Sequence, residues 1–215
     1  YRMLLLSNQE VEDLLDMENC LDALEVGYQD LLRNDATYRP RSGVIGAFAP
    51  SEEHPESRYH FGSMEGLSRS IGVLAIRMKS DIAYSKEGRH LKYCVEPGTY
   101  CGLIILFSIH NGEPLAIMPD GIIQHMRVGG CAGIGARHLA REDASVVGIL
   151  GSGGMARTYL WAFSLVRPIC KAKIYSPTKE HREAFAAEMS ERLDIPVEAS
   201  DNPEDAFRGS DIFAT

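Results

Sequence analysis

The stretch VVGILGSGGMARTYL, residues 146–160, constrains this chain more than any other. Aliphatic residues lead straight into Gly151-Ser152-Gly153-Gly154-Met155-Ala156, and an apolar helical pattern follows without a break. This is a G-x-G-x-x-A pattern at a strand-to-helix junction. Gly151 permits the tight turn, Gly153 has no Cβ to block a pyrophosphate approaching the backbone, and the small Ala156 lets helix and strand pack closely. The helix that begins here turns unpaired N–H groups and the positive end of its dipole towards the same space. The alternative is a βα turn that uses glycine for geometry alone, and the flanking sequence has to choose between the two.

The flanks favour the nucleotide reading. ASVVGILG reads as a buried strand, MARTYLWAFSLV as a helix whose Trp161 covers the sheet, and KAKIYS as a second strand; KEHREAFAAEMSERL is a helix and SDIFAT starts another strand. That alternation predicts an α/β fold with a Rossmann-type, doubly wound parallel sheet. A dinucleotide domain of this kind has about six strands, and only three or four are legible, so the domain is expected to continue past residue 215. Cofactor choice turns on the tip of the second strand, Tyr175-Ser176-Pro177-Thr178-Lys179, which has no carboxylate for a ribose 2′-hydroxyl. Ser176, Thr178, Lys179 and Arg182 suit a 2′-phosphate, so the expected cofactor is NAD(P), with NADP mildly favoured. Lys179 and Arg182 equally suit the solvated start of a helix.

Ahead of this domain, Ser7 and Glu10 form a capping box, and MENCLDALEVGYQDLLRND places Leu21, Leu24, Tyr28 and Leu31 at helical spacing. APSEEHPESRYHF reads as a solvated loop. IGVLAIRMKSDI alternates like a half-buried strand, which puts Arg77 and Lys79 on one face. GLIILFS and EPLAIMP read as strands around His110-Asn111-Gly112, where Asn-Gly favours the positive φ angles of a tight hairpin. Gly121 to Arg141 is helical, with alanine and glycine spaced for close packing.

Composition excludes several classes of function. With 45% hydrophobic and 24% charged residues the 215-residue chain folds, and a net charge of −8 without a basic run argues against nucleic acid or an anionic membrane as a partner. Cys20, Cys94, Cys101, Cys131 and Cys170 are odd in number and form no CxxC or zinc-like spacing. They predict a reducing compartment, the cytoplasm by default, and no metal site. His125 and His138 lie thirteen apart without a third ligand and read as structural.

Several marks in order resemble the ornithine cyclodeaminase and mu-crystallin family. They are Pro40-Arg41, the strand Ile76-Arg77-Met78-Lys79-Ser80, the hairpin HNGEPLAIMPDG, the segment Gln124-His125-Met126-Arg127, and HLAREDASVVGILGSGGMA. The resemblance implies a substrate-binding and dimerisation domain over residues 1–125, an NAD(P)-binding Rossmann domain over 126–215, and a homodimer. It also implies oxidoreductase or deaminase chemistry at the α-carbon amine or imine of a small amino acid. Some members, like the mu-crystallins, bind NADPH and serve partly as binding proteins, which is the alternative reading; a third is a Rossmann domain that binds no nucleotide.

Carried over residue by residue, Arg41 and Arg127 match arginines that grip the substrate carboxylate through a planar, bidentate fork. Arg39 could stand in for Arg41, and Arg127 could instead pair with Asp120. The family lysine is replaced by Arg77, with Lys79 two positions on and facing the same side. Lysine can exchange a proton when desolvated, whereas arginine can only bind or stabilise charge, so either Lys79 transfers the proton or Arg77 is a further carboxylate clamp. Val128-Gly129-Gly130 replaces the usual Thr-Ala-Ala. The family's catalytic aspartate falls beyond residue 215.

Overall fold

The computed structural model describes residues 2–50, 52–86, 88–93 and 102–215, so Cys94 and Cys101 lie outside the described residues. Two compact units result, Tyr1–Leu14 with Val26–Ile123, and Leu15–Glu25 with Gln124–Thr215. An unbroken division at residue 125 therefore differs from the fold in two ways: the boundary lies two residues earlier, within a helix, and a segment from the start of the chain joins the second unit.

The elements run β1 (Leu4–Leu5), α1 (Asn8–Leu14), α2 (Met17–Arg33), β2 (Ala36–Ile45), β3 (Arg58–Ser68), β4 (Val73–Lys86), β5 (Arg89–Tyr93), β6 (Gly102–Ser108), β7 (Pro114–Pro119) and α3 (Gly121–Leu139). The capping box forms as spaced: the Ser7 backbone N–H donates to Glu10 Oε2 at 2.7 Å, and the Glu10 N–H donates to Ser7 Oγ at 3.2 Å. In the first unit, β1-β7-β6-β4-β3-β2 make a mixed sheet in which β5 also pairs with β4. Val11 of α1 packs on Ile104, Ala116 and Met118.

Two strands escape the sequence pattern. β2 has Pro40 at a register shift between Arg39 and Ser42 and is exposed along most of its length, as befits an edge strand without alternation. The stretch expected as a loop becomes strand from Arg58 on, because β3 finds partners on both sides, β2 and β4. The β6–β7 connection is longer than a two-residue turn. Only Gly112, at φ +75°, takes a positive angle, and Ser108 and Glu113 close a four-residue loop.

The second unit continues with β8 (Val146–Leu150), α4 (Gly154–Val166), β9 (Lys171–Tyr175), α5 (Lys179–Leu193), β10 (Val197–Ala199), α6 (Pro203–Phe207) and β11 (Ile212–Ala214). All four strands are parallel, in the order β10-β9-β8-β11. The winding direction reverses between β8 and β11, which is where a doubly wound sheet opens a crevice at its carboxyl edge. Val147, Ile149 and Ile174 face Leu160, Phe163, Phe185 and Met189 in one buried cluster. Trp161 stands outside that cluster, with the Arg192 guanidinium 4.1 Å above its ring, so it does not cover the sheet as expected. β10 and α6 are too short for a periodicity to show, although Asn202 caps α6 by accepting from the Asp205 N–H at 2.9 Å, with Pro203 following.

Close approach explains two glycines in this unit. A Cβ on Gly133 of α3 would lie 2.9 Å from Leu21 Cδ2 and from Ala162 Cβ, so the expected helix packing is real and its partners include the N-terminal segment. A Cβ on Gly148 would lie 2.2 Å from the Ala206 carbonyl oxygen, where α6 rests on β8. Gly148→Ala is expected to destabilise the chain by about 1–3 kcal/mol through overpacking. Chemical denaturation would measure this, and an unchanged midpoint would count against so tight a seat for α6.

Candidate functional site

The glycine loop sits at the carboxyl end of β8. Gly151 adopts φ +106° and its N–H donates to the Tyr175 carbonyl at 2.7 Å, which fixes the turn against β9. A Cβ on Gly151 or on Gly153 would meet nothing within 4 Å, so the mouth of the loop is bare backbone. Gly153 is the N-cap of α4 and offers no side chain to its first N–H groups. Arg157 Nη1 donates to the carbonyls of Ser152 at 2.7 Å and Gly153 at 3.2 Å, while its Nη2 pairs with Glu188 at 2.6 Å. The C=O and N–H of a trans peptide point opposite ways, so this clamp aims the N–H groups of Gly153 and Gly154 away from Arg157. The Arg157 hydrogen bond holds the Glu188 carboxyl below its usual range. Gly154 has a separate reason to be glycine: a Cβ there would lie 2.7 Å from the His125 ring. Met155 follows in the first turn of α4, and Ala156 is buried in the core.

At the tip of β9 the expected phosphate-binding residues divide. Ser176 is buried, accepting from Ser152 Oγ at 3.0 Å and donating to the Thr178 carbonyl at 3.3 Å. Arg182 is also buried; its Nη1 donates to the Ser176 carbonyl at 3.1 Å and its Nη2 pairs with Asp201 at 2.7 Å. It is neither a solvated helix-start residue nor an open anion ligand but a strut between β9 and the chain after β10. Thr178 and Lys179 remain exposed, Lys179 with Glu183 at 3.6 Å.

A second constellation forms on one face of the mixed sheet in the first unit. Successive inward positions of β4 are Arg77, Lys79 and Asp81, and they pair in register with Met64, Gly62 and His60 of β3. Lys79 is flanked by Gly62 on one side and Gly102 on the other, with Gly43 beyond Gly62, so a row of residues without side chains forms the floor. Gly102 is obligatory there, because a Cβ would collide with the Met78 carbonyl oxygen at 1.8 Å. The resulting pocket, about 260 Å³, is lined by Arg41, Arg77, Lys79 and Asp81 among others.

The charges in this pocket are held tightly. Arg77 Nε and Nη2 both reach Asp120 Oδ2, at 2.8 and 2.5 Å, and the Asp120 side chain is 1% exposed. Asp120 therefore pairs with Arg77. Arg41 Nη2 donates to Met64 Sδ at 3.4 Å, and Arg77 Nη1 lies 3.9 Å from the same sulfur, so the two guanidinium groups converge. Arg39 pairs instead with Glu65 at 2.6 Å, away from the pocket lining. Lys79 forms an ion pair with Asp81, and Lys92 of β5 reaches the same carboxylate at 4.0 Å. Burial opposes the charge on Lys79, but hydrogen bonds to Asp81 and Lys92 outweigh it and raise its pKa. Lys92 is pushed down, first by its hydrogen bond to Lys79 and then by burial. Among the described residues, Asp81 Oδ1 and Asp120 Oδ1 are buried without a hydrogen-bond partner.

The first unit thus brings together Arg41, Arg77 and Lys79, while Arg127 is an exposed residue of α3 in the second unit. Sequence reasoning missed Asp81, Lys92, Met64 and Arg157, and it considered Asp120 only as a partner of Arg127, whereas it pairs with Arg77. The alternation that paired Arg77 with Lys79 extends by one step to Asp81, which was the available signal; nothing local marks Lys92, Met64 or Arg157.

Comparisons with known proteins bear on the family and the fold. Residues 92–215 match the model of the Ornithine cyclodeaminase/mu-crystallin family. The Delta(1)-pyrroline-2-carboxylate reductase of Bacillus cereus is 25% identical over 213 residues, covering 99% of this chain and 61% of that protein. The L-lysine cyclodeaminase of Streptomyces rapamycinicus is 30% identical over 200 residues, covering 93% of this chain and 54% of that protein. Among solved structures, the Thermococcus litoralis Delta(1)-pyrroline-2-carboxylate reductase in complex with NADH and L-proline superposes with a TM-score of 0.80 at 29% identity, covering 98% of this chain and 61% of that one. The chain thus spans about three fifths of the length of these relatives. No helix among the described residues is long and apolar enough to cross a membrane.

Proposed function

The chain belongs to the ornithine cyclodeaminase/mu-crystallin family, and from that premise we propose that it carries the substrate pocket and part of the dinucleotide site of an NAD(P)-dependent oxidoreductase or deaminase acting on a small amino or imino acid. The observation that carries this reading is the bare backbone at Gly151 and Gly153 above the unsatisfied N-terminus of α4. A diphosphate suits this place, because a Cβ at either glycine would meet open space and the first N–H groups of α4 have no side-chain cap. The residues that would hold the dinucleotide are Gly151, Ser152, Gly153, Gly154, Met155 and Ala156, with Thr178 and Lys179 at the adenosine ribose. With Ser176 and Arg182 engaged internally, the case for NADP over NAD rests on those last two residues alone.

The nicotinamide, when bound, supplies or accepts the hydride at the α-carbon. The chain's own residues orient and charge the site. Arg41 and Arg77 grip the carboxylate, Arg77 being held in place by Asp120. Lys79 stays protonated at neutral pH because its pKa is raised, which suits a proton donor to the substrate nitrogen and not a resting base. Asp81, with one oxygen unpartnered, is the acceptor for a substrate N–H. Arginine at the position of the family lysine is thus a clamp, and Lys79 is the proton donor. Exposed apolar residues on and just after β2, Val44, Ile45 and Phe48, suit pairing of two copies as a homodimer. Cys20 and Cys170, which form no disulfide, fit a reducing compartment such as the cytoplasm.

The test is to supply the full chain with NAD(P)H and cyclic imino acids, or with NAD(P)+ and ornithine, lysine, proline or alanine, and to follow the absorbance of the reduced nicotinamide. Turnover of one or more substrates is expected. Tight nucleotide binding without turnover across the panel would instead favour the mu-crystallin-like binding protein, and no nucleotide binding would remove the reading altogether.

A further inference from the structure

The charge balance of the first-unit pocket exceeds what one carboxylate needs. Arg41, Arg77, Lys79 and Asp81 line the pocket; Lys92 stands beside it, 4.0 Å from Asp81, and Asp120 compensates Arg77 from behind the lining. Arg41 has a thioether, not a carboxylate, as its hydrogen-bond partner among the described residues. Lys79 and Lys92 share a single carboxylate. The surplus is also arranged in two places. The Arg41 and Arg77 guanidinium groups meet at Met64, whereas Lys79 and Lys92 meet at Asp81, two and four residues further along the inward face of β4 from Arg77.

From this layout, and resting on the reading given above, we propose that the pocket is specific for an amino or imino acid with a second carboxylate on its side chain. One carboxylate sits on the arginine pair and the other on the lysine pair. Two cations crowded on one acid repel each other, and Lys92 is held below the ordinary lysine range first by its hydrogen bond to Lys79, then by burial, and then by the Lys79 charge. A second carboxylate placed between them relieves that repulsion, whereas a neutral side chain leaves it in place. The volume of about 260 Å³ admits a four- or five-carbon skeleton, and the glycine row Gly43-Gly62-Gly102 leaves its floor free of competing side chains.

The proposal is tested by calorimetric titration of the full chain with chemically inert acids: succinate and glutarate against butyrate and valerate. The dicarboxylates are expected to bind about ten-fold more tightly, the margin of one added charge-assisted hydrogen bond. Lys92→Gln should erase that margin while leaving butyrate affinity within about two-fold; the Lys92 side chain is 52% exposed, so the fold tolerates the change. Equal affinity for mono- and dicarboxylates in the unaltered chain would overturn the proposal, as would a margin that survives in Lys92→Gln. Failure here is separable from failure of the hydride-transfer reading, because nucleotide binding is measured without any carboxylic acid present.

Discussion

Gly153→Val is expected to lower dinucleotide affinity by about a hundred-fold or more without lowering the melting temperature. A Cβ at this position meets no protein atom within 4 Å, and the backbone at φ −81°, ψ −173° is open to any L residue, so the folded chain accommodates valine. The space the side chain fills is the one a diphosphate needs. Losing hydrogen bonds from two amide donors to a charged group amounts to about 3–6 kcal/mol, at roughly 1.5–3 kcal/mol each. Fluorescence titration with reduced nicotinamide dinucleotides, paired with a circular dichroism melt, measures both halves. Unchanged affinity in a folded variant would sink the site, because glycine would then serve turn geometry alone. Gly151 makes a poorer probe: at φ +106° a side chain strains the backbone itself, so binding and folding would fail together.

Arg77→Met is expected to destabilise the chain by about 3–5 kcal/mol, because it strands the Asp120 carboxylate in a site where that side chain is 1% exposed. For a chain of this size that corresponds to a melting temperature lower by roughly 6–20 °C. The double variant Arg77→Met with Asp120→Leu removes both charges and should recover most of the loss. Thermal melts of the two variants decide the point: a single variant that melts within about 2 °C of the parent would show that the pair is not a buried strut. Both variants should bind carboxylates more weakly than the parent, since restoring stability does not restore the guanidinium. That split between stability and binding separates the positioning role of Asp120 from the ligand role of Arg77.

How far the sequence led depended on how local each interaction is. Helices α1 and α2 were legible because a capping box and a helical stripe lie within a few residues of one another. The strands around the glycine loop were legible because parallel strands buried on both faces read as continuous apolar runs. β2 and β3 were not: they mix polar, small and aromatic residues without alternation, and their strand character comes from partners that include pairs as distant as Ala36 with Ser68. The same distinction runs through the sites. Arg77 and Lys79 were placed on one face by alternation, but Asp120, 43 residues on, determines what Arg77 is, and Lys92, on another strand, limits what Lys79 can do. Arg182 illustrates the reverse error. Its position in a helix start suggested an open cation, and only the folded chain brings Asp201 and the Ser176 carbonyl to it.

The residue order alone was enough to read an α/β chain with a glycine turn between a strand and a helix, because the steric demands of that turn are met within six consecutive positions. Tertiary structure decided the rest: which carboxylate neutralises which cation, which phosphate-site candidates are already engaged, and that a segment from the chain's beginning packs into the nucleotide unit. Those outcomes depend on distances between residues far apart in the chain, and electrostatic energy follows distance in space, which no local pattern encodes.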